Sequence, residues 1–257
     1  MLDVLEKNLK KLEKVAIAFS GGIDSSFLLY FTNKVLGKDN VLAIIGNGQM
    51  VPRKDYNDAI KFLKENNFNY IEIPYDALTV PEFKENHKDR CYYCKKSIMS
   101  AVKKIANSEG YEYVLDGKNT NDSSVYRPGN KATEELGILH PLEESGFSKN
   151  DIRKYSKELG LEFWNKPSNS CLATRFPYNT ILTNENLKKV ELAEEIIKQL
   201  GIPNTRVRVH NEIARIEVDK QYFKNIIENE EAIEKIKELG FKFVTLDLFG
   251  IQNGCFD

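Results

Sequence analysis

The sequence predicts an α/β protein: a parallel sheet with helices on both faces, followed by a small C-terminal α+β domain. Three observations carry this. Short apolar runs, Val15–Phe19, Val41–Ile45, Tyr70–Ile73 and Tyr113–Asp116, alternate with helical stretches of about a dozen residues, the pattern of βαβ units. The first run passes through a glycine turn directly into a helix. Beyond residue 184 the pattern changes, and Arg206–His210 and Ile213–Val218 alternate polar and apolar residues. The expected division is residues 1–165 as the α/β domain, 166–183 as a hinge carrying Cys171, and 184–257 as a small domain for substrate binding or oligomerisation.

Taken in order, residues 1–13 read as an amphipathic helix with Leu2, Leu5, Leu9 and Leu12 on one face. Val15–Phe19 is apolar throughout, as a strand buried on both faces must be. Ser20-Gly21-Gly22-Ile23-Asp24-Ser25-Ser26 then opens a helix that Gly37 ends. Val41–Ile45 is a strand, Asp55–Glu65 a helix and Tyr70–Ile73 a strand. Pro81–Arg90 is polar and reads as an exposed loop before Cys91-Tyr92-Tyr93-Cys94, with a helix from Lys95 to about Asn107. Tyr113–Asp116 is a strand, and residues 117–129 are a polar loop leaving its carboxyl end. Lys149–Leu159 is a helix, and Trp164–Thr180, with Pro167 and Pro177, a hinge. Asn184–Leu200 and Lys220–Leu239 read as helices and Phe241–Asp247 as a last strand, with an antiparallel sheet the simplest arrangement. The crossover rule places nucleotide chemistry at the carboxyl ends of parallel strands, where the glycine turn and the 117–129 loop both begin.

The 37 basic and 38 acidic residues leave a net charge of −1, which argues against a grip on long nucleic acid. No run of about eighteen apolar residues is present, so no membrane span is expected. The N-terminal helix carries acidic residues, unlike a signal peptide, and a cytoplasmic protein is expected. In that compartment four cysteines point to metal binding or catalysis rather than disulfides.

The glycine turn suits a phosphate. Strand, turn and helix N-terminus aim backbone N–H groups at one spot, and Gly21 and Gly22 permit positive φ and close approach. Ser20, Ser25 and Ser26 add hydroxyls, and Asp24 either caps the helix or holds a Mg²⁺ that bridges phosphates. The spacing is not that of P-loop NTPases. The full SGGxDS string resembles the pyrophosphatase-loop (PP-loop) signature of ATP-pyrophosphatases, which implies an adenine nucleotide alpha hydrolase-like fold and cleavage of ATP between its α and β phosphates.

Cys91-x-x-Cys94 by itself reads as a redox dithiol, half a zinc site, part of an iron–sulfur site, or an incidental pair. Its place just before a helix favours lowered thiol pKa values. Cys171 on a distant loop makes three thiolates, the number that leaves one iron of a 4Fe–4S cluster open; its alternative is a buried apolar role. Zinc would call for a fourth ligand such as Cys255. Arg206 and Arg208 alternate on a strand and so share a face, fit either for a phosphate or for a solvated, salt-bridged surface. Asp122 and Arg127 lie on the loop after a strand, where they border a pocket or serve the turn. His87, His140 and His210 are scattered and read as structural.

The whole chain resembles the LarE family of ATP-dependent sulfur transferases. The resemblance rests on Ala18–Ser25, Tyr92-Tyr93 with Lys95-Lys96, Asp116-Gly117, Tyr126–Gly129, Trp164–Lys166, Arg175–Tyr178, Arg206–Arg208 and Val244–Asp247. It implies an enzyme that adenylates a carboxylate of pyridinium-3,5-biscarboxylic acid mononucleotide, releases pyrophosphate and inserts sulfur to give a thiocarboxylate, in the synthesis of the nickel-pincer nucleotide of lactate racemase. It implies ATP at Ser20, Gly21, Gly22, Asp24, Ser25 and Ser26, with Asp24 catalytic through Mg²⁺. It implies substrate phosphate at Arg175, Arg206 and Arg208, and Glu194 and Glu217 as candidate ligands of a divalent ion. In one branch a single cysteine gives up its own sulfur; here Ser170 stands at that position, with Cys171 next to it. Cys91, Cys94 and Cys171 together resemble the other branch, in which a 4Fe–4S cluster on three catalytic cysteines carries sulfide. Partners implied are the small nucleotide, sulfide or another sulfur donor, and further copies of the chain in a homo-oligomer, without stable nucleic-acid binding. A PP-loop tRNA thiolase and a non-catalytic ATP-binding protein with a zinc or redox CxxC are the alternatives.

Overall fold

The computed structural model describes residues 1–123, 128–166 and 170–252, and these divide into two compact units. The first unit opens with α1 (Leu2–Lys10), whose Leu5 and Leu9 are fully buried. Then come β1 (Val15–Phe19), α2 (Ile23–Leu36), β2 (Val41–Asn47), α3 (Arg53–Glu65) and β3 (Tyr70–Pro74). After an excursion through α4 (Pro81–Lys84), the unit resumes with α5 (Arg90–Ser108), β4 (Tyr113–Leu115), α6 (Thr120–Ser123), α7 (Pro128–Glu135), α8 (Pro141–Glu144) and α9 (Lys149–Glu158).

The sheet is parallel, in the order β3-β2-β1-β4. Side chains of a strand alternate between its faces. On β1, Val15, Ile17 and Phe19 join a core with Phe27 and Leu28 of α2 and Leu63 of α3. Ala16, with Leu42 and Ile44 of β2, joins another with Met99, Val102 and Ala106 of α5. Helices therefore cover both faces, as the unbroken apolar runs require. Each fully buried aromatic such as Phe27 contributes about 1.5–3 kcal/mol of hydrophobic stabilisation.

The strand order creates the site. From β1 the chain steps outward to β2 and β3, then returns to place β4 on the other side of β1. The strand order thus reverses between β1 and β4, and the carboxyl ends of strands at such a point are where open α/β sheets bind ligands.

The second unit combines residues 81–88 with the chain from Ser170 onward. Its elements are α4, α10 (Asn184–Gln199), β5 (Thr205–His210), β6 (Ile213–Val218), α11 (Phe223–Ile227), α12 (Glu230–Glu238) and β7 (Phe243–Leu246). Asn211, at φ +55°, makes the tight turn between β5 and β6. Ile197, Ile202, Val207, Ile216 and Ile236 form its core.

Four expectations need correction. The small sheet is mixed: β5 and β6 are antiparallel, but β7 runs parallel to β6. The two helices between β6 and β7 form the long crossover that a parallel pair demands. The 220–239 stretch is not one helix, because Asn229 accepts from the Ala232 N–H and starts α12 afresh. Residues 117–129 include α6 and the start of α7 rather than loop alone. Pro81–Arg90 is not an exposed loop: Phe83 is buried, and Asn86, fully buried at φ +54°, donates to the carbonyls of Phe176 (3.2 Å) and Pro177 (2.7 Å). Among the described residues no helix is long and apolar enough to cross a membrane.

Candidate active site

The glycine turn folds as its residues dictate. Gly21 adopts φ +71°, and a Cβ there would stand 2.4 Å from Ala59 Cβ on α3. Gly22 is the N-cap of α2 and makes no side-chain cap; Asp24 lies in the first turn and is not the cap. Ser25, buried, ties the turn together: its hydroxyl donates to Gly22 O (3.1 Å) and accepts from Ser20 N–H (3.3 Å), with Ser20 Oγ at 3.1 Å. The helix start left open in this way is the feature that attracts phosphate.

The loop after β4 presses onto the same turn. A Cβ on Gly117 would lie 2.8 Å from Ser25 N and 3.0 Å from Asp24 C, so only glycine allows that approach. Beside it, Asp116 is buried and accepts from His140 Nδ1 (2.7 Å) and Lys118 N–H (3.0 Å), with Lys95 Nζ at 3.2 Å. Burial by itself would raise the Asp116 pKa; the His140 hydrogen bond and the Lys95 charge outweigh it and hold the carboxyl well below the usual range. His140 is a satisfied buried side chain, its other ring nitrogen 3.3 Å from Thr133 Oγ1. Asp122 turns back to accept from Asn119 N–H at 3.2 Å, which is turn chemistry; Arg127 lies outside the described residues.

Sequence reasoning missed two cations at this turn. Lys149, the first residue of α9, places Nζ 2.5 Å from Asp24 Oδ2. Lys166 reaches Asp55 Oδ1 at 3.3 Å, on α3 behind Gly21. Isolated lysines carry no spacing signal, and only the fold brings them here.

The CxxC sits inside α5, which begins at Arg90 and not at Lys95. Cys91 is exposed and Cys94 half-buried, one helical turn apart. The buried Tyr75, just after β3, donates to Cys94 O at 3.0 Å and approaches Cys94 Sγ at 3.6 Å. The lowered thiol pKa expected from the motif is not what Cys94 has: burial pushes it up, against the Tyr75 hydrogen bond.

In the second unit the predicted arginines and glutamates come together. Arg175, fully buried, makes a bidentate pair with Glu194 (2.7 and 3.2 Å). Its other arm donates to Ser170 Oγ (2.6 Å) and to the Cys171 carbonyl (3.4 Å). Glu194 also accepts from Val207 N–H at 3.1 Å. Arg208 donates to both oxygens of Glu217 at 3.2 Å, to Thr174 O at 2.6 Å and to Gln252 O at 2.9 Å. Arg215 joins Glu217 at 3.0 Å. Arg206 is buried beside them; that burial, with the charges of Arg175 and Arg208, pushes its guanidinium pKa down. Arg175, Arg206 and Arg208 thus lie close together on one edge, with Cys171 in the same turn as Arg175. Both glutamates are engaged by guanidinium groups. Among the described residues no group of three or more His, Cys, Asp or Glu side chains gathers as a metal site; Cys255 lies outside them.

The NAD synthase family model matches residues 1–109, the part that contains the glycine turn, the first three strands and α5. Along nearly its whole length the chain is similar to the pyridinium-3,5-bisthiocarboxylic acid mononucleotide synthase of Lactiplantibacillus plantarum, at 40% identity over 96% of this chain and 90% of that one. Uncharacterised proteins of Methanocaldococcus jannaschii (35% identity, 95% and 94% of the two chains) and Synechocystis sp. (33%, 98% and 95%) match over a similar span. A glycine turn at the sheet's switch point, and this likeness from end to end, lead to one assignment: the chain belongs to the LarE family of PP-loop sulfur transferases.

Proposed function

We propose that the chain is an ATP-dependent sulfur transferase that converts a carboxylate of pyridinium-3,5-biscarboxylic acid mononucleotide to a thiocarboxylate, in nickel-pincer nucleotide synthesis. The observation that carries this reading is the turn at Ser20–Ser26, held open by Gly21 and abutted by Gly117 at the switch point. The name of the L. plantarum relative supplies the substrate class.

The turn binds the triphosphate, and Asp24 would hold a Mg²⁺ that, when bound, would neutralise charge on the phosphates. A substrate carboxylate oxygen attacks the α-phosphorus, the bond to the β-phosphate breaks, and pyrophosphate leaves. The turn's N–H groups stabilise the charge that develops on the departing group. A sulfur nucleophile then attacks the acyl carbon and AMP departs, which requires sulfur and carbon to meet at about 3–3.5 Å. Arg175, Arg206 and Arg208 hold the substrate's phosphate; Glu194 and Glu217 keep the guanidinium groups oriented in that role, or hold a divalent ion. Asp122 and Arg127 border the nucleotide pocket.

The finer assignment concerns the sulfur. Cys91 and Cys94 offer two cysteine sulfurs one turn apart, a donor pair that suits iron or zinc, while a three-ligand set is absent among the described residues. The described geometry is thus a half-site, and the reaction above depends on no cluster. We propose Cys91, Cys94 and Cys171 as ligands of a 4Fe–4S cluster, which when bound supplies an exchangeable sulfide. Iron and acid-labile sulfide analysis of anaerobically purified protein tests this, repeated on Cys171→Ala. About four irons per chain, lost in the variant, are expected; stoichiometric zinc without iron refutes it. Pyrophosphate release that depends on both ATP and the biscarboxylic acid mononucleotide tests the adenylation, and its absence refutes the enzyme reading.

A further inference from the structure

The second unit carries a cavity that the proposed reaction leaves unused. Its volume is about 220 Å³, and its walls come from the 176–180 segment, α10, the end of β5 and Phe241. Phe176, Val190 and Phe241 are buried there, and Pro177 and Val209 extend the apolar lining. Side chains alternate along a strand, so Val209 turns to the face of β5 opposite Arg206 and Arg208. The cavity is therefore separate from the arginine edge.

One charge enters this apolar lining. Lys189 of α10 places Nζ 3.8 Å from the centre of the Phe241 ring. Gly240, at φ +95°, makes room for it, since a Cβ there would stand 3.3 Å from Nζ. Among the described residues Lys189 forms no ion pair: Glu185 and Glu212 act on it only from beyond that distance, and Glu212 is held by Lys242 at 2.7 Å. Burial pushes the Lys189 pKa down, as for a charge partly withdrawn from water without a counter-ion. The ring face offsets part of that cost, and an anion beside the ammonium would offset the rest. Thr180 and Asn211 add a hydroxyl and an amide donor to the lining.

Apolar walls with a few convergent polar groups are the make-up of a small-molecule site. A dry apolar cavity of about 150 Å³ holds benzene, so about 220 Å³ accommodates a ring of that size with a carboxylate attached. We propose that this cavity binds a small aromatic monocarboxylate, its ring against Phe176, Val190 and Val209 and its carboxylate on the Lys189 ammonium. The site needs nothing from the reading of Ser20–Ser26.

Benzoate is the probe, and benzylamine, a cation of similar size, is its control. Both are titrated into the full chain by calorimetry and ligand-observed NMR, on wild type, Lys189→Met and Thr180→Trp. The first variant keeps the space and removes the charge; the second keeps the charge and fills the space. Wild type is expected to bind benzoate saturably, with about millimolar affinity for so small a ligand, and at least about tenfold more tightly than benzylamine. Each variant is expected to bind benzoate about tenfold or more weakly, the scale of one lost charge-assisted hydrogen bond or of a blocked cavity. Circular dichroism identifies the variants that retain the wild-type fold, and the comparison of benzoate with benzylamine needs no variant. Absence of saturable benzoate binding to wild type, equal binding of the two probes, or undiminished benzoate binding in either folded variant overturns the proposal. The last result would place benzoate at the arginine edge instead.

Discussion

Gly21→Ala puts the construction of the glycine turn to a quantitative test. Gly21 sits at φ +71°, where a residue with a Cβ costs about 1–2 kcal/mol. The new methyl would stand 2.4 Å from Ala59 Cβ and 3.5 Å from Ala59 Cα, in the middle of α3, where the backbone has little room to retreat. Overpacking of this kind adds about 1–3 kcal/mol. The variant should therefore lose about 2–5 kcal/mol and deform the turn. Trp164, the chain's single tryptophan, lies in the first unit, so its fluorescence during urea unfolding reports the stability of that unit. Ala59→Gly in the same chain removes the clash but not the strained φ. The double variant should recover at least about 1 kcal/mol relative to additivity, as contacting residues do. ATP titration of the single variant should show the affinity largely lost. If Gly21→Ala stays within about 0.5 kcal/mol of the parent and binds ATP normally, or if Ala59→Gly restores nothing, the account of the turn is wrong.

Glu194→Ala removes one side of a buried bidentate pair and leaves the Arg175 guanidinium and the Val207 N–H without it; a loss of about 3–5 kcal/mol is expected in the second unit, read from the circular dichroism transition that Trp164 does not report. Asp116→Asn should flatten the acid limb of the stability curve. The Asp116 carboxyl titrates below its ordinary value in the fold, so its contribution is complete above about pH 4 and is lost as pH falls from there through the lower folded-state value. Wild type should therefore lose stability relative to the variant on acidification below about pH 4, measured by urea unfolding at a series of pH values; parallel curves would refute the assignment.

Much of this architecture is legible in order of residues. The apolar runs at Val15–Phe19 and Val41–Ile45 can only be strands covered on both sides, because a strand with one wet face alternates. Glycine at 21 and 22, followed by Ser25, marks a turn whose backbone must approach something closely. The grouping of Arg175, Arg206 and Arg208 with Glu194 and Glu217 follows in part from period-two alternation on β5, although the bidentate pairing does not. The short elements were less readable. Residues 81–88 are mostly polar, yet Phe83 is buried, and Lys84 and Asn86 hydrogen-bond to the 176–182 segment, almost a hundred residues away; local pattern carries no information about such a partner.

The sequence by itself determined the class of fold, the glycine turn and the set of thiols, since each depends on local backbone freedom, on periodicity or on residue type. Only the tertiary structure decided that Gly117 abuts Ser25, that Lys149 meets Asp24, that His140 satisfies Asp116, and that β7 joins its sheet in parallel. The physical reason is common to all four. Each is a contact between groups distant in the chain, created when the strand order reverses at β1 or when helices carry the chain over a sheet, and closing such loops leaves no periodic trace in the residues that meet.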